Sequence, residues 1–145
     1  MNTPTKPFVL LLVEDEKPDA NLVKWALEKN RVFVDLHLVV DGYEAMKFLR
    51  RIGPHFLDMP RPDLILLDIN MPQMSGLECL AAIKKDPSLC NIPVVMLSTS
   101  YAENDVSDSS SLGAADYFTK PMDIYQLAET IRILSERWIT PILQH

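Results

Sequence analysis

At four places in this sequence a chemically competent side chain stands directly after a run of strand length, apolar in the first three. Glu14-Asp15 follows the run from Phe8 to Val13, Asp68 follows Leu64 to Leu67, Ser98-Thr99 follows Ile92 to Leu97, and Lys120 follows Asp116 to Thr119. A carboxylate at the end of a buried strand is costly to desolvate, so it must be paired with a cation or open to a cleft. Three carboxylates gathered together repel and push at least one pKa upward unless a divalent cation offsets them. An all-oxygen donor set with room for water suits magnesium, which is typically held by one or two carboxylates plus phosphate oxygens. In such a site Asp68 can act as a nucleophile toward a phosphoryl group and form an aspartyl phosphate. Lys120 and Ser98 would then meet the phosphoryl oxygens, and catalysis would be mostly positioning and electrostatics. Taken singly, Glu14-Asp15 reads as solvated loop, Ser98-Thr99 as a helix cap and Lys120-Pro121 as a turn. Their joint placement at strand ends is what points to chemistry.

The elements that must deliver these residues follow from periodicity and punctuation. Apolar runs at Phe8 to Val13, Leu64 to Leu67 and Ile92 to Leu97 have the length of fully buried strands. Arg31 to Val40 alternates imperfectly and reads as a strand near a sheet edge, and Asp116 to Thr119 as a short last strand. Between them lie helices with apolar stripes at Leu22, Val23, Ala26 and Leu27, then at Ala45, Phe48, Leu49 and Ile52, then at Leu77, Leu80 and Ala81. Ser75 to Glu78 has capping-box spacing. The segment Glu103 to Leu112 is the weakest helix, with only Val106 and Leu112 as sizeable apolar residues, whereas Ile124, Leu127, Ala128, Ile131, Leu134 and Trp138 mark a clear last helix. The connection Gly53 to Arg61 is longer than the 2–6 residues usual between helix and strand and reads as a surface loop. Alternating strands and helices predict an α/β fold, a doubly wound five-stranded parallel sheet in the flavodoxin-like order 2-1-3-4-5 with helices on both faces. The first and third strands then lie side by side at the switch point, where such folds place their ligand site.

Composition narrows the function classes. A chain of 145 residues fits one domain, 1–145, with a core that needs no disulfide or structural metal. Fourteen Lys and Arg against twenty Asp and Glu give a net charge of −6, which argues against sequence-independent binding to nucleic acid or to an anionic membrane. No apolar stretch approaches the roughly 18–20 residues of a membrane span, so the expected location is cytoplasmic. Cys79 and Cys90 form no metal-binding pattern and read as ordinary reduced thiols; His37, His55 and His145 are isolated.

The sequence resembles the receiver domain of two-component response regulators over essentially its whole length. The matching pieces are Leu12-Val13-Glu14-Asp15-Glu16, Leu66-Leu67-Asp68-Ile69-Asn70-Met71-Pro72 with Ser75-Gly76, Pro93 to Ser98, and Gly113-Ala114-Ala115-Asp116-Tyr117-Phe118-Thr119-Lys120-Pro121. The resemblance implies that Asp68 is the phosphoacceptor and that Glu14, Asp15, Asp68 and the backbone carbonyl of Asn70 hold Mg2+. It implies also that Ser98 and Lys120 contact the phosphoryl group, that Tyr117 is the switch aromatic, and that Asn70 and Ser100 tune dephosphorylation. The phosphoryl donor would be a sensor histidine kinase. Within the family, the loop Gly53 to Arg61, the run Leu97 to Ser100 and the tail around Trp138 look like the small stand-alone regulators of cyanobacterial phytochromes and bacteriophytochromes. Glu14 stands where many receivers have Asp, and Ser98 replaces the commoner Thr, losing the methyl that stiffens χ1.

The expected function is therefore that of a phosphoacceptor signalling by a change of interaction surface, rather than an enzyme with a separate substrate. No output domain is expected, because the last helix uses up the chain. The alternative is a phosphate-independent interaction module with a vestigial site. A flavodoxin-like electron carrier would need a Ser-, Thr- and Gly-rich loop where this chain is acidic. A haloacid-dehalogenase phosphatase would need a carboxylate where Asn70 stands. Surplus apolar residues at Ile133, Ile139, Ile142 and Leu143 point equally to a homodimer or to a tail wrapped on its own domain.

Overall fold

The three apolar runs become strands β1 (Val9–Val13), β3 (Leu64–Leu67) and β4 (Val94–Ser98), each buried at every position. The computed structural model describes residues 7–99 and 102–143, with side chains described as far as 141. Two further strands, β2 (Asp35–Val39) and β5 (Asp116–Thr119), flank them in one parallel sheet of order β2-β1-β3-β4-β5. This is the predicted flavodoxin-like order. Strand β2 is shorter than the alternation from Arg31 to Val40 suggested, because the chain first turns. Arg31 adopts a left-handed φ of 58° and Val32 donates its N–H to the Leu27 carbonyl, so these residues close the preceding helix.

Side chains of successive strand residues point to opposite faces, and each face is covered by its own helices. Leu10, Leu12, Leu64, Leu66, Val95 and Leu97 pack beneath α1 (Lys17–Lys29) and α5 (Ile124–Trp138). Leu11, Val13, Ile65, Leu67, Val94 and Met96 pack beneath α2 (Gly42–Arg50) and α3 (Gly76–Lys85). The capping box of α3 is formed, with Glu78 N–H donating to Ser75 Oγ and Ser75 N–H to the Glu78 carboxylate.

Several stripes are rotated from their expected positions. Helix α2 ends two residues before Ile52, since Arg51 takes a left-handed φ of 55° as its C-cap. Ile52 is consequently 51% exposed and Met46 fills the core instead. In α3 the buried residues are Cys79, Leu80 and Ile83, with Leu77 and Ala81 half-buried. Cys79 is a free thiol whose burial pushes its pKa up to about 12, which leaves it inert at neutral pH. In α1, Leu22 lies largely outside and Ala20 is buried. The loop over Gly53 to Arg61 is not wholly at the surface, because Phe56 packs on the core with its ring 5.9 Å from that of Phe48.

Helix α4 (Glu103–Ser111) explains its own weak signal. Its one buried residue is Ser109, whose hydroxyl donates to the Asp105 carbonyl at 2.6 Å. Val106 is 41% exposed. After α5 the chain makes one more short helix, α6 (Thr140–Leu143). Ile139, one of the surplus apolar residues that pointed equally to a homodimer or a wrapped tail, is wholly buried in its own domain beside Leu127 and Leu134. Ile133 is half-buried, and the side chains of Ile142 and Leu143 lie outside the described residues. The wrapped tail is therefore the arrangement seen for Ile139. Ile139→Ala should lower stability by about 2–4 kcal/mol, the usual cost of a large buried aliphatic truncated to Ala. Urea denaturation at several protein concentrations checks this: a fixed midpoint is expected, whereas one that rises with concentration would put Ile139 at an intermolecular contact.

Candidate functional site

The carboxyl ends of the strands bring the site together through hydrogen bonds that extend the sheet by one more residue each. Glu14 N–H donates to the Val39 carbonyl at 3.0 Å, Asp68 N–H to the Val13 carbonyl at 3.3 Å, and Lys120 N–H to the Ser98 carbonyl at 2.7 Å. Val13 is in register with Leu67, and Ser98 with Thr119. The residue after each strand is thus held almost as firmly as the strand itself.

Glu14, Asp15 and Asp68 each present a carboxylate oxygen, all within 4.8 Å of one another. Lys120 reaches the same place, its Nζ donating to Glu14 Oε1, to Asp19 Oδ2 at 3.3 Å and to Asp68 Oδ2 at 3.4 Å. Glu14, Asp68 and Lys120 are buried. Burial pushes the Glu14 carboxyl up to about 7, against the opposing pull of Lys120. Burial works to lower the Lys120 pKa, but the hydrogen bond to Glu14 and the charges of Asp68, Glu14 and Asp19 outweigh it and raise the value.

Two observations show that the oxygen cluster fits a hard divalent cation. Its donors are all carboxylate oxygens, and Asp15 Oδ1 is buried with no hydrogen-bond partner. A buried, unpartnered carboxylate oxygen is expensive, and a cation is the ligand that such an atom lacks.

The loop after β3 is shaped around Asp68. Asn70 N–H turns back to Asp68 Oδ1 at 3.3 Å, and Gly76 N–H donates to the Ile69 carbonyl at 2.9 Å. A Cβ at Gly76 would lie 2.0 Å from the Asp68 carbonyl oxygen and 2.7 Å from Ile69 Cα. The start of α3 therefore touches the backbone of the central acid, a contact that only glycine allows. Ser98 is fully buried at the end of β4, and Tyr117 on β5 is half-buried against the face covered by α2 and α3. Ser100 lies outside the described residues.

The structure thus brings Glu14, Asp15, Asp68 and Lys120 into one cluster. Ser98 is joined to Lys120 through the backbone, and Asn70 stands exposed at the rim. Sequence reasoning missed two participants. Asp19 is a first-turn residue of α1 that reaches Lys120, and its signal was only an acid four residues beyond Asp15. Gly76 was part of a recognised pattern, but nothing in sequence shows that its missing side chain makes room for Asp68.

A five-stranded doubly wound sheet with an acidic cluster and a lysine at its switch point defines the receiver class, and the chain belongs to the response regulator receiver domain family, whose model matches residues 10–132. It is 40% identical over 136 residues to the response regulator Rcp1 of Synechocystis sp., covering 94% of this chain and 92% of that protein. The crystal structure of the phosphorylated cyanobacterial phytochrome response regulator RcpA is similar with a TM-score of 0.88 and 42% identity, covering 94% of this chain and 96% of the other. The Mn2+-bound form of Rcp1 gives 0.84 and 41%, covering 92% and 95%.

Gly76→Ala should cost roughly 3 kcal/mol, in the range of severe backbone clashes, and should perturb the amides of Asp68 and Ile69. A variant as stable as the parent in urea would show that the contact relaxes freely. The raised Glu14 pKa gives a signed pH dependence. The folded state binds more protons than the unfolded state between the ordinary carboxylate value and about 7, so this group's contribution to stability falls as pH rises through that window. Divalent cations bind the charged form, so calorimetry should find their affinity increasing up to about pH 7 and levelling above it, with proton release below.

Proposed function

We propose that this chain is a phosphoacceptor receiver that takes a phosphoryl group from the phosphohistidine of a sensor histidine kinase onto Asp68. The observation that carries this reading is the Asp68 carboxylate at the switch point, flanked by Lys120 at 3.4 Å and by the oxygens of Glu14 and Asp15. Asp68 Oδ attacks phosphorus, the P–O bond forms as the P–N bond to the kinase histidine breaks, and the electron pair leaves on the imidazole nitrogen. Mg2+ is the cation proposed, held by Glu14, Asp15, Asp68 and the Asn70 carbonyl, and when bound it neutralises charge on the phosphoryl oxygens.

The chain's own residues do the rest. Lys120 moves its ammonium from the surrounding carboxylates to the phosphoryl oxygens, and the Ser98 hydroxyl donates to one of them. Drawing Ser98 inward opens space for Tyr117 to change rotamer, a local charge event that biases a two-state element. Helix α4, with one buried residue against four in each of α1, α2, α3 and α5, is the long helix least anchored to the core and the natural one to shift. Asn70, beside the attacked carboxylate, and Ser100 set how fast water removes the phosphoryl group.

Similarity to the phytochrome response regulator RcpA supports a phytochrome kinase as the partner, and the cytoplasm is the proposed place of action. We read residues 1–145 as one receiver unit whose output is a change of surface offered to a partner. A homodimer through the end of α5 finds no support in Ile139, which faces its own core.

Asp68→Asn should abolish labelling by phosphorylated kinase or by acetyl phosphate with Mg2+, while leaving the fold intact by circular dichroism. Labelling that persists on another residue would overturn the assignment. No labelling of the parent chain under any of these conditions would favour the phosphate-independent module. Substitution at Asn70 should change the decay rate of the aspartyl phosphate, read by phosphate release.

A further inference from the structure

The sheet has a second end, and three arginines gather on one side of it. Beneath the amino-terminal edges of β3 and β4 lies a cavity of about 320 Å³ bordered by Arg50, Arg51, Arg61, Pro62, Ser88 and Leu89. That volume falls at the lower end of small-ligand pockets. Three arginines around one cavity are conspicuous in a chain of net charge −6. Arg50 is balanced by Asp86, its Nε 3.2 Å from Oδ2. Arg51 and Arg61 form no ion pair among the described residues; each binds a carbonyl instead. Arg51 Nε donates to the Met59 oxygen at 2.8 Å, and Arg61 Nη1 to the Ser88 oxygen at 2.6 Å.

These contacts orient the guanidinium groups and leave most of their five N–H donors unused. The helix dipole accounts for cations at the end of α2, where Arg50 and Arg51 sit, but not for Arg61 in the loop. Arg51 moreover holds a left-handed backbone, φ 55°, at a cap position where glycine is the unstrained residue. The long connection from Gly53 to Arg61, which phosphoryl transfer at Asp68 does not use, brings Arg61 to the border of the cavity.

We propose that this cavity binds a small oxyanion, the carboxylate or phosphate group of a metabolite-sized ligand, seated against Arg51 and Arg61 with its carbon portion on Pro62 and Leu89. Both anion types offer paired oxygens that match the guanidinium fork. Binding would tie the α2–β3 loop to the turn after α3, and it does not depend on the chemistry at Asp68.

The test is nitrogen–proton NMR of the full chain without divalent metal, titrated with sodium succinate or with sodium phosphate against sodium chloride at matched ionic strength. Saturable shifts at the Arg51 and Arg61 Nε–H groups and at the Ser88 and Leu89 amides are expected with at least one of the two anions. Saturation by succinate alone assigns a carboxylate ligand, and by phosphate alone a phosphate ligand. Arg61→Lys, which keeps the charge but loses the fork, should weaken binding about tenfold, as should Arg51→Gln. Shifts that follow chloride, that centre on residues around Asp68, or that persist at full affinity in both variants would overturn the proposal. If one variant loses its amide dispersion, the other decides, and the chloride comparison on the parent chain stands without either.

Discussion

A single ammonium is held among carboxylates at the end of the sheet, and the site's arrangement depends on it. Burying an ammonium costs several kcal/mol, while one carboxylate at about 4 Å returns about 4 kcal/mol at an effective dielectric of 20, so one partner barely breaks even. Lys120 has three, from Glu14, Asp19 and Asp68. With Asp15 beside them, four acids still face one lysine, and the surplus negative charge is what makes the cluster receptive to a divalent cation. In the proposed phosphotransfer the same surplus would free Lys120 to turn to a phosphoryl group, since it is shared among Glu14, Asp19 and Asp68.

That balance holds only if the acids cannot retreat, and the sheet prevents it. Glu14, Asp68 and Lys120 are each tied by a backbone hydrogen bond to the neighbouring strand, so their Cα positions are inherited from β1, β3 and β5. Gly76 closes the remaining escape by bringing α3 against the carbonyl of Asp68. Rigidity is concentrated here, and looseness lies in α4, whose polar sequence packs little on the sheet beneath it. A rigid acceptor beside a weakly held helix is the division of labour that a switch needs.

The acidic cluster and the arginine-bordered cavity lie at opposite ends of the parallel sheet for a structural reason. Loops at the carboxyl ends converge on the switch point and supply the acids. At the amino ends, the α2–β3 connection and the turn after α3 meet over Pro62 and Leu89, and the arginines collect there. An acidic protein can therefore hold an acidic centre and a basic cavity on one domain without their fields cancelling, since they lie at opposite ends of the strands.

Much of this was legible in the amino-acid order because burial leaves a one-dimensional trace. Runs such as Leu64 to Leu67, short and bounded by Pro62 and Pro72, read as buried strands, alternation with helices makes the sheet parallel, and a charged residue directly after such a run stands at the carboxyl edge. Sequence alone thus determined the strand order and the placement of Glu14, Asp15, Asp68, Ser98 and Lys120 at the carboxyl ends of the strands. What only the tertiary structure decided depends on packing between distant segments. It ended α2 before Ile52 and buried Met46, set α3 so that Cys79 and Ile83 were buried and Ala81 only half so, and sent Ile139 into its own core. It also brought Asp19 to Lys120 across 101 residues and set Gly76 against Asp68. No local pattern records these contacts, because each is settled by where another element's atoms already lie.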